Sequence, residues 1–189
     1  MPTSRLEAFS DGVMAIIITI MVLEIHPPEQ ATLAALRALQ PTVLAYLLSF
    51  VIIAIYWNNH HALLRATRVI DGRVMWANMH LLFWLSLVPV VTAWVGEAHE
   101  QSLPAAAYGF VSLMSGIAYM ILVLSIIRAN PGSAIVQAIG DDAKGKVSVA
   151  LFGTGIVLDF VGPWLAYACY ALVSALWFIP DRRLDSIEE

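Results

Sequence analysis

The chain has 189 residues, of which 60% are hydrophobic and only 13% are charged. Soluble globular domains are usually about 45–50% apolar and about 25% charged, so this chain has too little polar surface to cover a water-soluble body of its size. The mean hydropathy of +0.78 therefore indicates a protein embedded in lipid. The net charge of −4, with no block of basic residues, gives no support to a nucleic-acid partner, and the single cysteine, Cys169, excludes a disulfide framework within the chain.

Six stretches of the sequence predict membrane-spanning helices, each of which needs about 20 mostly apolar residues, with a range of roughly 17–25. In chain order they are Phe9–Ile25, Thr42–Trp57 with a possible extension through His61, Val74–Val95, Leu103–Ile127, the shorter Val147–Val161, and Pro163–Ile179. Because the last two are joined so closely, we expect a tight hairpin or a partly re-entrant pair. No connector is long enough for a second domain. The sequence thus predicts an all-α fold, residues 1–189, in which each subunit is an integral membrane bundle of six transmembrane helices.

The basic residues predict the orientation of this bundle. Cytoplasmic segments of membrane proteins carry an excess of lysine and arginine. With the N-terminus in the cytoplasm, nine basic residues fall on that side and one, Arg37, falls outside. The nine are Arg5, Arg65, Arg68, Arg73, Arg128, Lys144, Lys146, Arg182 and Arg183. We therefore expect a multi-pass protein of the cell membrane with both termini in the cytoplasm.

Two smaller patterns concern packing between the predicted helices. Pro89 lies inside the third span, where proline removes a backbone hydrogen bond and is expected to kink the helix. Gly109, Ser112 and Gly116 form a face of small residues on the fourth span. Such faces are typical of close contact between membrane helices.

Polar side chains inside the predicted spans are few, and such residues often mark functional sites. Those near the cytoplasmic face are Asp11, Asn58, Asn59, His60, His61, Asn78 and His80, whereas Asp159 lies near the outer face. We expect Arg5 and Asp11 to bond the asparagine and histidine side chains of the second and third spans. Locking three helices together is the favoured role, ahead of ion binding or proton relay, although His60 and His61 could titrate near neutral pH and tune a gate. A metal site is not expected, because adjacent histidines point about 100° apart and no H-E-x-x-H or C-x-x-C spacing occurs.

The first span carries an aliphatic stripe. Ile16, Ile20 and Leu23 follow the spacing i, i+4, i+7 and therefore share one helix face, with Thr19 beside them and Gly12 one turn earlier. Periodicity alone is typical of a face that contacts lipid or the protein core.

The residues before that stripe resemble a known family. The pattern Arg5-x-x-x-Phe9-Ser10-Asp11-Gly12-Val13, followed by Ala15-Ile16 and Thr19, is similar to the R-x-x-x-F-S-D signature in the first helix of the transmembrane protein 175 potassium channels. The stretch Trp57-x-Asn59-His60-His61, the six spans and the length also agree with that family. The resemblance implies a single-repeat prokaryotic member that assembles as a homotetramer, with the first helices lining a central pore.

The resemblance also implies roles for individual residues. Ile16, Ile20 and Leu23 would form the apolar pore constriction, and Thr19, together with Ile16, would contribute to selectivity. The residues implied in a structural network around the motif are Arg5, Phe9, Ser10 and Asp11, with Asn58 and His61 as partners. For Thr19 a second interpretation stays open, in which its hydroxyl bonds the carbonyl of Ala15 as membrane helices commonly allow.

Three functions are compatible with these features. The first is a leak-type, potassium-permeable cation channel without a T-V-G-Y-G filter, in contact with membrane lipid, with monovalent cations as permeant ions and no cofactor. The alternative is a proton-coupled secondary transporter or proton-leak pathway that uses Asp11, His60, His61 and Asp159. A membrane assembly protein without transport is the third. An enzyme is not expected, because the polar residues form no nucleophile–base arrangement.

Overall fold

The computed structural model describes residues 3–131 and 143–178, and over those ranges every regular element is helical. The helices are α1 (Thr3–Leu23), α2 (Leu33–Ala38), α3 (Gln40–Arg65), α4 (Gly72–Ser86), α5 (Val88–Ala98), α6 (Ser102–Ala129), α7 (Ala143–Leu158) and α8 (Pro163–Phe178). The predicted all-α fold is therefore confirmed. The predicted cytoplasmic residues Arg182 and Arg183 and the last residue of the sixth span, Ile179, lie outside the described residues.

Four helical stretches among the described residues are long and apolar enough to cross a bilayer. They are α1, α3, the combined stretch Gly72–Ala98 formed by α4 and α5, and α6. These stretches match the first four predicted spans, and α3 runs through His61 as far as Arg65. The short helix α2, which precedes α3, was not predicted.

The described parts of α7 and α8 are shorter than a full span. Each has 16 residues, or about 24 Å at 1.5 Å per residue, against a hydrocarbon core of about 30 Å. A four-residue turn at 159–162 joins them, and they pack against each other and against α6. The expected tight hairpin is thus present, whereas the described parts of the fifth and sixth spans are shorter than the usual requirement.

The third span is broken at the predicted position. Helix α4 ends at Ser86 and α5 begins at Val88, with Pro89 in the first turn of α5. Proline cannot donate a backbone hydrogen bond to the preceding turn. At the end of α4, the hydroxyl of Ser86 donates to the carbonyl of Phe83 at 2.7 Å. The break lets α4 pack mainly on α6 and α1, while α5 packs mainly on α3 and α6.

The ends of α3 and α6 are tied together by one buried side chain. Asn130 accepts hydrogen bonds at Oδ1 from the backbone N–H groups of Arg68 and Val69, at 3.2 and 2.8 Å, and its Nδ2 donates to the carbonyl of Val69 at 3.0 Å. Asp71 precedes α4, and its Oδ1 accepts from the N–H of Val74 at 2.9 Å, as an N-cap should. This end of the bundle is therefore fixed by side-chain caps.

Close helix contact at the small-residue face is confirmed. A Cβ atom added at Gly109 would overlap Tyr170 and lie 2.8 Å from Ile156, and one added at Gly116 would touch Val149 at 3.5 Å. Gly155 on α7 is equally confined, because an added Cβ would lie 2.5 Å from Cε1 of Tyr170. Tyr170 is fully buried, and its hydroxyl donates to the carbonyl of Ala105 at 3.1 Å. The tyrosine ring therefore fills the space that the glycines leave.

This packing predicts different effects for two glycines of α7. Gly155→Ala should destabilise the protein by about 1–3 kcal/mol, because Tyr170 is held on all sides and cannot yield. Gly153→Ala should be neutral or slightly stabilising, since nothing lies within 4 Å of an added Cβ there and alanine favours the helix. Thermal unfolding of both variants in detergent measures the difference. Equal melting temperatures would contradict the packing of Tyr170 against α7.

Candidate pore helix and polar network

Helix α1 has one buried face and one open face. The buried face contacts α3, α4 and α5 and consists of Leu6, Ser10, Met14, Ile17 and Met21. On the open face, the exposed fractions of Ile16, Ile20 and Leu23 are 58%, 41% and 74%. The predicted stripe is therefore not part of the subunit core, and within one subunit it is available to line a pore or to meet another chain.

Thr19 lies on the open side with the stripe. Its hydroxyl donates to the carbonyl of Ile16 at 2.9 Å, so the hydrogen bond to the backbone exists but goes to Ile16 and not to Ala15. A hydroxyl that donates its only proton still has oxygen lone pairs. Because the Thr19 side chain is exposed in the subunit, the two interpretations of this residue are compatible: the backbone bond can orient an oxygen toward the open face.

A buried chain of hydrogen bonds joins α1, α4 and α3. The hydroxyl of Ser10 donates to the carbonyl of Leu6 at 2.8 Å and accepts from Nδ2 of Asn78 at 2.9 Å. Oδ1 of Asn78 lies 2.7 Å from Nε2 of His60. Since an amide oxygen can only accept, this contact places a proton on Nε2 of His60. Ser10, His60 and Asn78 are all 0% exposed. Because water does not reach these side chains, they satisfy their hydrogen bonds with one another.

A second, more exposed layer joins α1 to α3 at the same end. Oδ1 of Asp11 accepts from Nε1 of Trp57 at 3.0 Å, and Oε1 of Glu7 lies 2.8 Å from Nδ1 of His61. The rings of Trp57 and His61 are stacked with centroids 5.7 Å apart. Two acidic residues of the motif helix thus contact two aromatic residues of α3 one turn apart.

Several of the expected partners differ. Asp11 bonds Trp57 and not an asparagine or histidine, and Glu7, which the sequence did not single out, is the partner of His61. The side chain of Arg5 makes no hydrogen bond or ion pair with any described residue. At about 100° per residue, it lies with Phe9 on the face of Ile16, away from the core.

Asn58 is likewise exposed. It is two residues before His60 and therefore projects from nearly the opposite side of α3. The sequence grouped Asn58 and His60 together because they are neighbours in the chain. Helical geometry separates them, and only His60 enters the buried chain of hydrogen bonds.

A further polar cluster, which sequence reasoning missed, lies in the other half of the bundle. The hydroxyl of Ser49 lies 2.6 Å from that of Thr92 and 2.9 Å from that of Tyr108. Thr92 also donates to the carbonyl of Val88 at 2.7 Å, and its hydroxyl is 4.0 Å from the sulfur of Met21. Serine and threonine are common in membrane helices, so only their coincidence on three facing helices could have revealed this cluster.

Asp159 does not join either layer. It lies in the turn between α7 and α8, 4% exposed, and its carbonyl accepts from the hydroxyl of Ser102 at 3.3 Å. Ser102 begins α6, at the end of the bundle opposite Asp11 and His60. The residues of the proposed proton pathway are thus divided between the two ends. Within residues 3–131 and 143–178, no group of three or more His, Cys, Asp or Glu side chains is placed to hold a metal ion.

Comparison with known proteins identifies close relatives. The profile of the family described as the endosomal/lysosomal potassium channel TMEM175 matches residues 5–89, which include the motif helix and both polar layers. A potassium channel of Chryseobacterium sp. (strain P1-3) is 47% identical over 98% of this chain and 97% of its own length. A potassium channel of Chamaesiphon minutus is 32% identical, with 93% of each chain covered.

One solved structure has the same fold. It is the crystal structure of a lysosomal potassium-selective channel TMEM175 homologue from Chamaesiphon minutus. The two chains superpose with a TM-score of 0.84 at 28% sequence identity, covering 95% of this chain and 97% of the other. The likeness therefore extends well beyond the motif, to α6, α7 and α8.

The buried chain predicts a large effect for Asn78→Leu. The substitution leaves the N–H of His60 without a partner in the core, which should lower the free energy of unfolding by about 1–3 kcal/mol. Asn58→Leu is the matched control, because Asn58 is exposed on the same end of the bundle. Melting temperatures in detergent distinguish the two variants. If Asn78→Leu were as stable as Asn58→Leu, the hydrogen bonds of Asn78 would not hold the three helices together.

Proposed function

Because this chain belongs to the TMEM175 family, we propose that it is a subunit of a potassium-permeable cation channel whose pore is lined by α1. The observation that carries the proposal is the open face of α1. The subunit buries Leu6, Ser10 and Met14 but leaves Ile16, Ile20 and Leu23 exposed, although these residues are just as apolar as the core.

The proposed assembly is a homotetramer around the open faces of four α1 helices. Closed rotational symmetry places four copies of each side chain in a ring. Rings of Ile16, Ile20 and Leu23 would form an apolar constriction that closes by dewetting, because a partly dehydrated ion finds no oxygen ligand there. The carbonyl-lined filter of other potassium channels is not needed in this arrangement.

Thr19 is the proposed selectivity residue, acting beside Ile16. Between Gly12 and Leu23, it is the one side chain of α1 with a hydroxyl or any charge. A ring of four such oxygens would offer a permeating cation partial replacement for its hydration shell, and the adjacent isoleucine ring would set the width of the pore. Potassium, which gives up its water more readily than sodium, would be favoured.

The proposed location is the cell membrane, with both termini in the cytoplasm. Within the described residues, the end of the bundle that holds Arg5 also holds Arg65, Arg68, Arg73, Arg128 and the two lysines of α7. The opposite end holds Arg37. This distribution follows the positive-inside rule. We propose no enzymatic activity for the chain.

Ion flux in liposomes tests the pore. Wild-type protein should pass potassium in preference to sodium, and Ile16→Asn should raise the flux severalfold, because an amide in each subunit hydrates the constriction. Val157→Asn is the matched control. Val157 is as exposed as Ile16, at 66%, but lies on α7, which packs on α6 and α8. Unaltered flux in Ile16→Asn, or an equal change in Val157→Asn, would remove α1 from the pore.

The same liposomes test the selectivity residue. Thr19→Val keeps the shape of the side chain and removes its oxygen, so the ratio of potassium to sodium flux should fall while flux itself persists. A ratio equal to that of the wild type would assign selectivity to pore width alone.

Thiol labelling in whole cells tests the orientation. In a Cys169→Ser background, Glu100→Cys should react with a membrane-impermeant reagent in intact cells, because the α5–α6 connection is proposed to face outward. Val69→Cys, in the α3–α4 connection, should react only after permeabilisation. The reverse pattern would place the termini outside.

A further inference from the structure

A large groove lies on the outside of α3, away from α1. It has a volume of about 730 Å³, with walls formed by α3 and α8 and a floor that includes Val95 and Tyr108. Its apolar lining comes mainly from Leu44, Leu47, Leu48, Val51 and Ala171. Leu44 and Leu47 are about half exposed. Since α3 crosses the bilayer, the medium that meets this groove is the hydrocarbon of the membrane.

One end of the groove is polar. Gln40, His99, Trp164 and Tyr167 line it there, and Tyr167 donates to the carbonyl of His99 at 3.3 Å. Tryptophan and tyrosine concentrate at the level of lipid headgroups. The groove thus runs from a headgroup-like end at the start of α3 toward the middle of the bilayer.

A cation lies close in sequence to the polar end. Arg37 is exposed in the last turn of α2, and Leu39 continues the chain into α3 with helical backbone angles of −80° and −7°. Arg37 therefore lies three and four residues before Gln40 and Pro41, both of which line the groove. In the sequence, it is the only lysine or arginine between Arg5 and Arg65. Its charge at this one place is complementary to a phosphate.

We propose that this groove binds an anionic phospholipid. One acyl chain lies along the leucines of α3 and against Ala171, and the phosphate pairs with Arg37 at the membrane surface. The occupant is a lipid and not a second subunit because the groove is on the side of α3 that faces α8. Helix α1, which the proposed channel directs toward its other subunits, packs on the side of α3 that bears Trp57 and His60.

Native mass spectrometry of the purified protein tests the proposal, with phosphatidylglycerol and phosphatidylcholine of equal chain length as probes. Wild-type protein should retain phosphatidylglycerol, at up to one molecule per subunit, in preference to phosphatidylcholine. Ala171→Trp fills the groove and should reduce retention at least about tenfold. Leu172→Trp, at the adjacent exposed position outside the groove, is the control and should retain lipid as the wild type does.

Arg37→Gln separates the headgroup from the acyl chain. Loss of one cation near the membrane surface should lower phosphatidylglycerol retention roughly fivefold and leave phosphatidylcholine unchanged. Gel filtration checks that each variant is folded, and Ala171→Leu, a smaller filler, replaces Ala171→Trp if the latter aggregates.

Two results would overturn the proposal. One is equal lipid retention in the wild type and the folded groove-filling variant. The other is an oxidative cross-link between two subunits in Leu47→Cys protein that lacks Cys169, which would show that a second copy covers the groove. Because lipid retention is measured without ion flux, failure of this test would leave the channel proposal untouched.

Discussion

The rotation of α1 about its own axis is the constraint on which the rest of the structure depends. It is set by the hydrogen bonds from Ser10 through Asn78 to His60, which lie in a core without water. Polar groups there have no alternative partners, so turning the helix by even one residue, about 100°, would leave them unsatisfied. Apolar packing alone would not fix the rotation, because isoleucine, methionine and leucine are nearly interchangeable on either face of α1.

This constraint explains why the same type of residue has opposite fates on one helix. Ile17 is 3% exposed and Ile16 is 58% exposed. In a bilayer, both are equally soluble in lipid, so hydrophobicity does not choose between them. The buried hydrogen bonds from Ser10 through Asn78 to His60 decide which of the two isoleucines is buried. The motif can therefore be understood as an orientation device, in which Ser10 directs one face inward and so presents the other face to the proposed ion path.

Much of this arrangement could be predicted from the sequence, because its signals are local. The helices follow from apolar length, the break before α5 from Pro89, and the close helix contact on α6 from the small residue Gly109, although not its partner Tyr170. The resemblance to the family also rests on neighbouring residues, those of the motif in α1. What could not be predicted is which partner each polar side chain has, since that depends on the relative rotation of α1, α3 and α4. The sequence consequently paired Arg5 and Asn58 with the network, although both face outward.

The hydroxyl cluster of Ser49, Thr92 and Tyr108 is a polar contact that the sequence did not predict. Its three residues are each common in a membrane helix, and Ser49 lies more than forty residues before the other two in sequence. Only the packing of α5 across α3 brings them together. Asp159 is a comparable case, because its separation from Glu7 and Asp11 follows from its place in the turn between α7 and α8.

The uneven distribution of polar contacts along α1 has a mechanical consequence. Glu7, Ser10 and Asp11 anchor the first half of the helix, whereas Met21, in the second half, is held by packing and a 4.0 Å contact with the hydroxyl of Thr92. Polar contacts therefore hold only the first half of the helix. Rotating the helix would break the buried hydrogen bond between Ser10 and Asn78 together with the more exposed contacts of Asp11 and Glu7. Tilting its far end exchanges mainly dispersion contacts, which lipid and neighbouring side chains replace at little cost. A widening of the proposed pore at Ile20 and Leu23 would thus cost the least free energy if the second half of α1 tilted while its first half kept its polar contacts.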